Sequence, residues 1–210
     1  AEYLRVIMHE LSRIHSHLLW MGLAADAFGY ESLFMHTWRL RERVLDIFEA
    51  VAGGRVILSY TLLGGVTNDV DEPMLAHIKD VLAGMKKEYN ELCNAFLKDT
   101  SVKNRTVGVG TLSQEEAIEY GIVGPFARAS NVNNDVRCIG QGAYGELSSF
   151  EPILDTDGDC YARVKVRALE VLQAIDIINE LIDKIPGGPI LNPVKGAPEA
   201  GSEASGILEQ

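Results

Sequence analysis

Apolar residues recur every three or four positions along most of the chain, which is the spacing of one buried face of an α-helix. The first such stretch predicts a helix over residues 2–26 that ends before Gly29. A second helix begins near Glu31 or Ser32, and Gly53 with the glycine after it ends this helix. Each helix has one apolar side and therefore needs a partner to cover it.

Two further long helices follow the same pattern. One starts at Asp71 and Glu72, with Pro73 in its first turn, and the other runs from about Asp159 to Lys184. The earlier of the two carries a seam that requires a partner helix, because seven apolar positions line one side of it. These positions are Leu75, Ile78, Leu82, Met85, Tyr89, Leu92 and Phe96.

The segments between the long helices give weaker signals. Ser113 and Glu116 form a capping box, which predicts a short helix ending at Gly121. The apolar run Val56-Ile57-Leu58 predicts a brief strand. Residues 122–157 are rich in Gly, Asn, Ser and Asp, which predicts a long irregular loop; loops of this length are usually functional or bound to a partner.

Together these elements predict a mainly α fold, a multihelical bundle with a long irregular loop and little or no sheet. We expect residues 1–184 to form its helical core. Residues 185–210 contain four prolines and five glycines, which predicts an extended segment. We expect this segment to lead to a missing C-terminal part, and the sequence to be an internal piece of a longer protein.

Charge and cysteine content narrow the class of protein. The chain has 30 acidic and 19 basic residues, a net charge of −11, so the phosphates of nucleic acids repel it. Its best apolar stretch, Leu18 to Ala25, is shorter than the ~18 residues that span a membrane. Cys93, Cys138 and Cys160 form no CxxC pair, so neither a disulfide framework nor a zinc site is predicted. We expect a chain that is soluble by itself in a reducing compartment.

Ionisable side chains gather on one side of the first helix. Glu10, Arg13 and His17 share this face with His9. His15 lies six residues after His9, about 240° round the helix, so the two histidines do not converge on a zinc ion. Two interpretations are open: a solvated polar face, or a buried ion-pair network that contacts a partner or a cofactor domain.

Other candidate motifs fail on their spacing. Residues 155–159 resemble the opening of a calcium loop, but its sixth and twelfth positions are Cys160 and Val166 instead of Gly and Glu. The glycines at 108–110 and 140–142 do not stand in the strand–turn–helix order of a dinucleotide site. These residues by themselves therefore identify no cofactor.

Seven groups of residues nevertheless stand in the order of one family's motifs. They are Glu10–Ile14 with Ser16–Trp20, Leu33–Phe34 with Trp38–Glu42, Gly64–Val66, Asn104–Thr106, Gly124–Ser130 with Asp135–Arg137, Gly158–Arg163, and Ile185–Pro189. On these motifs the chain resembles the large subunit shared by complex I, where it forms the quinone site, and the membrane-bound energy-converting NiFe hydrogenases. The resemblance covers nearly the whole chain.

The resemblance implies an oxidoreductase subunit that lies peripherally on the cytoplasmic face of a membrane and docks on an iron–sulfur subunit. In the hydrogenases two CxxC pairs near the ends of the full subunit hold the NiFe centre. Neither pair is present here, so we expect this chain to bind no metal by itself. In complex I the equivalent cavity holds a quinone, and a third alternative is a metal-free assembly scaffold.

Departures from the complex I pattern favour the hydrogenase alternative. Where complex I has an Asp that supports the quinone-site His, ungapped alignment places Ala27; Asp26, one residue earlier, is rotated by about 100° on a helix. The runs Leu33–Arg39 and Asn131–Asn134 also depart from complex I. We therefore expect hydrogen–proton interconversion coupled to ion translocation, with quinone reduction in a complex I-type NADH dehydrogenase as the alternative.

The resemblance also implies site residues. The helix nearest the redox cavity would contribute catalytic residues that carry protons or set the local electrostatics: Glu10, Arg13 and His17. The loop that lies against the cavity and the partner subunits would contribute cofactor-binding residues: Arg128, Asp135 and Arg137. The alternative for all six is structural ion pairing.

Overall fold

The computed structural model describes residues 1–192 and residue 201. Its helices and strands are α1 (Glu2–Ala27), α2 (Glu31–Ala52), β1 (Thr61–Leu62), β2 (Gly65–Val66), α3 (Glu72–Lys98), α4 (Thr100–Thr106), α5 (Gln114–Glu119), α6 (Gly124–Arg128) and α7 (Cys160–Lys184). Two 3-10 helices, Val136–Ile139 and Gly142–Glu146, lie between α6 and α7. This mainly α fold with one two-stranded antiparallel sheet confirms the predicted fold class.

The four long helices pack into one core. α1 lies against both α2 and α7, and α3 packs on α2 and α7. Their apolar stripes meet in the interior, as the helical spacing predicts. Fully enclosed core side chains include Leu11, Ile14 and Leu18 of α1, Leu40 and Val44 of α2, Leu82 and Met85 of α3, and Ile175 and Ile178 of α7.

Local chemistry sets the helix ends. The Asp71 carboxylate accepts a hydrogen bond from the Met74 backbone N–H at 3.0 Å and caps α3. Asp159 caps α7 in the same way, through Ala162 at 2.8 Å. The capping box predicted before α5 is present. Gly53 ends α2 with φ +74°, a left-handed conformation that favours glycine.

The prediction of a strand at residues 56–58 is wrong. Ile57 is 88% exposed and has no strand partner. The hairpin instead pairs Thr61 with Val66, because Gly64, at φ +89°, allows the tight turn between them. β-branched residues favour an extended backbone, but a strand also needs a partner at the right distance from a turn.

The region between α5 and α7 is more ordered than the predicted irregular loop. Residues 122–157 contain α6 and both 3-10 helices. α6 starts with Pro125 in its first turn, and helices this short carry too little apolar periodicity to be recognised from sequence. The separate helix α4, which the sequence did not predict, is capped by Asp99 through the Val102 backbone N–H at 2.9 Å.

After α7 the chain returns to the hairpin. The Ile190 carbonyl accepts a hydrogen bond from the Val66 N–H at 3.0 Å, and Gly64 accepts one from Asn192 at 2.9 Å. Arg5 of α1 donates to the Gly65 carbonyl at 2.8 Å. Residues 193–200 and 202–210 of the predicted extended segment lie outside the described residues. None of the helices within the described residues is both long and apolar enough to cross a lipid bilayer.

Candidate functional site

The polar face predicted on α1 points into the protein. Glu10 is 0% exposed and His17 is buried, while Arg13 between them is half-buried. These three side chains therefore meet other segments of the protein, whereas His9, predicted on the same face, is exposed. Of the two interpretations open from the sequence, the structure therefore shows the buried ion-pair network; its contact with a partner or cofactor stays a prediction.

Two arginines flank the Glu10 carboxylate. Arg13 Nε lies 3.2 Å from Glu10 Oε2, and Arg137 Nη1 lies 3.6 Å from the same oxygen. The other oxygen, Oε1, accepts a hydrogen bond from the Tyr144 hydroxyl, which also lies 3.0 Å from Nδ1 of His9. Both oxygens of a carboxylate closed to solvent are thus compensated.

The segment after α6 supplies a second carboxylate with two arginines. Arg137 binds Asp135 in a bidentate manner, with Nε 3.0 Å from Oδ1 and Nη2 2.7 Å from Oδ2. Arg128 Nη1 lies 3.2 Å from the same Oδ2. The Arg137 guanidinium also stacks over the Phe150 ring at 4.7 Å. These contacts fix the orientation of Arg137 beside Glu10 of α1.

Glu170, in the middle of α7, connects the ion pairs around Glu10 with those around Asp135. Its Oε1 accepts a hydrogen bond from Arg128 Nε at 2.6 Å, and its Oε2 lies 2.7 Å from His17 Nε2. Arg13 and Arg137 are within 4.0 Å of the same carboxylate. Glu170 is 0% exposed, and it is the common neighbour of charges contributed by α1, α6 and the first 3-10 helix.

All six candidate residues therefore lie in one assembly, which we call the buried charge network. Its members are Glu10, Arg13, His17, Arg128, Asp135, Arg137 and Glu170. Three arginines face three carboxylates, so the formal charge is zero when His17 is neutral. The Arg13 and His17 side chains keep 10% of their accessible surface, whereas the other five are at 0%. The network thus approaches the surface at Arg13 and His17.

The environment decides the protonation states. Burial opposes ionisation of Glu170, but the hydrogen bond with His17 and the charge of Arg128 outweigh it and lower the pKa of Glu170 to about 2. The pKa of Asp135 is also lowered, because Arg137 outweighs the effect of burial. Burial lowers the pKa of His17, so a neutral imidazole donates its Nε2 proton to an ionised Glu170.

The tyrosine beside the network is held in its neutral form. Burial and the negative charge of Glu10 both raise the pKa of Tyr144. Its hydroxyl therefore keeps its proton and donates it to the Glu10 carboxylate. A neutral donor at this position compensates Glu10 without adding charge to the network.

Sequence reasoning missed Glu170 and Tyr144. A signal for Glu170 existed, because it lies on the apolar side of α7 with Val166 and Ala174, four residues away in each direction. A lone carboxylate at such a position needs a buried partner. Tyr144 lies in a 3-10 helix of a glycine-rich segment, where no periodicity marks a buried side chain.

The acidic position at the end of α1 is not part of the network. Asp26 and Ala27 are both exposed, more than two helical turns from His17. The carboxylate that supports His17 in this chain is Glu170.

The described residues do not provide a ligand set for a NiFe centre. Within this part of the chain no three His, Cys, Asp or Glu side chains converge on a point where a metal ion fits. Cys93 is buried, Cys160 is half-buried and Cys138 is exposed. A nickel centre needs several convergent thiolates.

Subunits of several redox complexes are similar in sequence to this chain. One subunit of the F420H2 dehydrogenase of Methanosarcina mazei is 40% identical over 90% of this chain and 51% of its own length. One subunit of the NADH-quinone oxidoreductase of Phocaeicola vulgatus is 41% identical over 90% of this chain and 36% of its own. The alpha subunit of the membrane-bound hydrogenase of Pyrococcus furiosus is 37% identical over 90% of this chain and 46% of its own length.

A solved structure shares the fold. It is a chain of the membrane-bound sulfane sulfur reductase, an archaeal respiratory membrane complex, with a TM-score of 0.87, 30% identity, and coverage of 92% of this chain and 52% of the other. The chain thus spans about half the length of several of the proteins it matches. Residues 27–203 match the family described as the respiratory-chain NADH dehydrogenase 49 kDa subunit. With most of its length covered by that match, the chain belongs to the 49 kDa subunit family.

Proposed function

We propose that this chain is part of the large subunit of a membrane-associated oxidoreductase complex, docked peripherally beside an iron–sulfur subunit. One observation carries the proposal: relatives named for F420H2, NADH and quinone, hydrogen, and sulfane sulfur share this segment. A segment shared by complexes with such different substrates serves a step that all of their reactions have in common. Transfer of electrons, with the accompanying change of charge, is that step.

The buried charge network suits this role. It is electrically balanced and closed to solvent, and in such surroundings an added charge acts over a longer distance than in water. Arg13 and His17 form its accessible edge, and we propose that this edge faces the redox group. Glu10 then sets the potential at that edge through Arg13, and its own carboxylate is the group that holds or accepts a proton.

The second group of candidate residues has an indirect role in this proposal. The Arg128 and Asp135 side chains are at 0% exposure and the network encloses Arg137. We propose that these residues hold Glu10 and Glu170 in position. Their charges then act on the bound cofactor through space, without direct contact. In this proposal the ion pairs that stabilise the fold are also the ones that position the functional charges.

Glu10→Gln in the full-length subunit tests the proposal. The substitution keeps the shape of the side chain and removes its charge, so turnover of the intact complex should fall at least about tenfold, as for loss of a group used in proton transfer. Tyr144→Phe, which removes one hydrogen bond and leaves the Glu10 charge, is the matched control and should lose much less. Subunit content and iron–sulfur spectra would verify assembly, and normal turnover of an assembled Glu10→Gln complex would refute the proposed role.

Two substrates fit this function, and each is favoured by a relative. The quinone alternative is supported by the family match and by the P. vulgatus protein, and the hydrogen alternative by the P. furiosus protein. The preference for hydrogen drawn from the sequence is not confirmed, because identities of 37% to 41% do not separate the two. Nickel content together with hydrogen-dependent dye reduction, measured against quinone reduction on the same purified complex, decides between them.

A further inference from the structure

Outside the buried charge network, Arg41 is a buried cation with neither an acidic partner nor a backbone carbonyl acceptor among the described residues. Arg41 of α2 is 8% exposed. Its Nη2 lies 2.6 Å from His15 Nε2, and its guanidinium lies 4.9 Å from the Trp38 ring. Within residues 1–192 no carboxylate forms an ion pair with Arg41, and its Nε atom makes no hydrogen bond.

The contacts of Arg41 do not balance its charge. His15 accepts the hydrogen bond, and both burial and the neighbouring Arg41 lower the pKa of His15, so the imidazole is neutral. A buried arginine without a carboxylate partner is stable when backbone carbonyls accept its hydrogen bonds instead. Arg163, for example, donates to the Gly110 and Gly158 carbonyls at 2.7 and 2.9 Å. Arg41 has no such acceptors among the described residues, and an uncompensated buried charge is strongly unfavourable.

Arg41 lies at one end of a surface that continues along two helices. Gly22 of α1 approaches Trp38 of α2 so closely that a Cβ atom at Gly22 would lie 2.8 Å from the indole. This approach and the Arg41–His15 contact show that α1 and α2 run antiparallel, with Leu23 and Met35 toward the other end of the helix pair. Leu23 is 53% exposed and Met35 is 61% exposed.

We define the α1–α2 outer face as the surface formed by His15, Leu19, Leu23, Met35, Trp38 and Arg41. It combines exposed apolar side chains at one end with a cation that needs an anion at the other. The Nε1 atom of Trp38 also makes no hydrogen bond within the described residues. A free small anion would leave the apolar end uncovered, whereas a protein segment covers both ends.

We propose that the α1–α2 outer face binds a segment of another subunit of the same complex, and that a carboxylate of this segment pairs with Arg41. The inference rests on the proposed function, which makes this chain one part of a multisubunit complex. Charge complementarity selects an acidic group, and Leu23 with Met35 selects apolar residues beside it. A bidentate guanidinium–carboxylate pair also sets the orientation of the two chains.

Zero-length carbodiimide cross-linking of the intact complex tests this pairing. Arg41→Lys keeps the charge and supplies an amine, which forms an amide with a carboxylate only at ion-pair distance. We expect mass spectrometry to find this cross-link to an Asp or Glu of a different subunit. Arg39→Lys is the control, because Arg39 lies 3.2 Å from Glu88 of the same chain and should give an internal cross-link.

A second probe covers the case in which Arg41→Lys disturbs assembly. A photoreactive phenylalanine analogue in place of Met35 should cross-link to the same segment of the same subunit. Arg41→Ala should lower the recovery of that subunit with the complex at least about tenfold, as for truncation of a buried charge pair.

The outcomes separate this inference from the proposed function. An Arg41→Lys cross-link to a carboxylate of this same polypeptide overturns the inference. So does the absence of any cross-link at positions 35 and 41 when the Arg39→Lys control succeeds. In both cases co-purification and turnover of the wild-type complex still report on the proposed function.

Discussion

Replacing Glu170 by Gln measures how much charge contributes to the buried network. The two side chains have the same shape, so the change leaves three arginines facing two carboxylates in a space closed to solvent. The pKa of Glu170, lowered from 4.5 to about 2, corresponds to about 3 kcal/mol at roughly 1.4 kcal/mol for each tenfold change in affinity for the proton. Loss of one partner from a buried ion pair typically costs about 3–5 kcal/mol, which agrees.

Unfolding of the 210-residue chain, followed by circular dichroism, gives the measurement. A loss of about 3 kcal/mol lowers Tm by roughly 6–12 °C in a domain of this size. The matched control is Asp176→Asn on the same helix, whose ion pair with Lys86 is exposed and contributes less than about 1 kcal/mol. Equal free energies of unfolding for the two variants would refute the argument that charge holds this network together.

The pH dependence gives a second test of the same reasoning. Because the folded-state pKa of Glu170 is depressed, its contribution is complete above pH 4.5 and is lost as the pH falls toward 2. The stability difference between the wild type and Glu170→Gln should therefore be largest near neutral pH and should shrink below pH 4.5. A difference that stays constant over this range would show that packing, and not ionisation, causes the loss.

Two predictions concern the scaffold. Gly65→Ala would place a Cβ atom 2.1 Å from the Ile190 carbonyl, so the unfolding free energy should fall by about 1–3 kcal/mol as for other overpacked sites. Gly187→Ala, at a position open to solvent, is its control and should change little; equal losses would contradict the close approach. Asp159→Ala removes the cap bonded to Ala162 and should cost about 1–2 kcal/mol in urea denaturation, whereas Asp159→Asn should retain most of the cap. A full loss with Asn would show that the charge of Asp159, or the second hydrogen bond that its Oδ2 accepts from the Gly108 N–H at 2.7 Å, matters more than the cap.

The long helices were predictable because their signals are local and repeated. Apolar residues at helical spacing marked all four, and caps such as Asp71 and Asp159 marked their starts. The brief strand at residues 56–58 was predicted wrongly, since strand pairing depends on a partner and a turn that lie outside the run itself. The short helices, such as α6, were missed because five residues contain too little of the repeating pattern.

Six of the seven members of the buried charge network were named from the sequence, but neither Glu170 nor the arrangement of the seven was predicted. Helical spacing placed Glu10, Arg13 and His17 on one face. The same spacing does not determine whether that face is buried or exposed to solvent. The partner that decides it, Glu170, is 160 residues from Glu10 in sequence. Periodicity describes one helix at a time, whereas burial of a charge is a property of several segments packed together.

The wide separation of the network members along the chain also bears on the order of events during synthesis. Roughly 130 residues separate Glu10 from Arg137, and a ribosome takes about 6–25 s to add that length. Until then the carboxylate of α1 has no distant cation to pair with, so burying it is unfavourable and early collapse onto this face is disfavoured. The first helix therefore keeps its polar side in water until α6 and α7 arrive, and the charge that the folded protein buries disfavours packing of the growing chain in the wrong order.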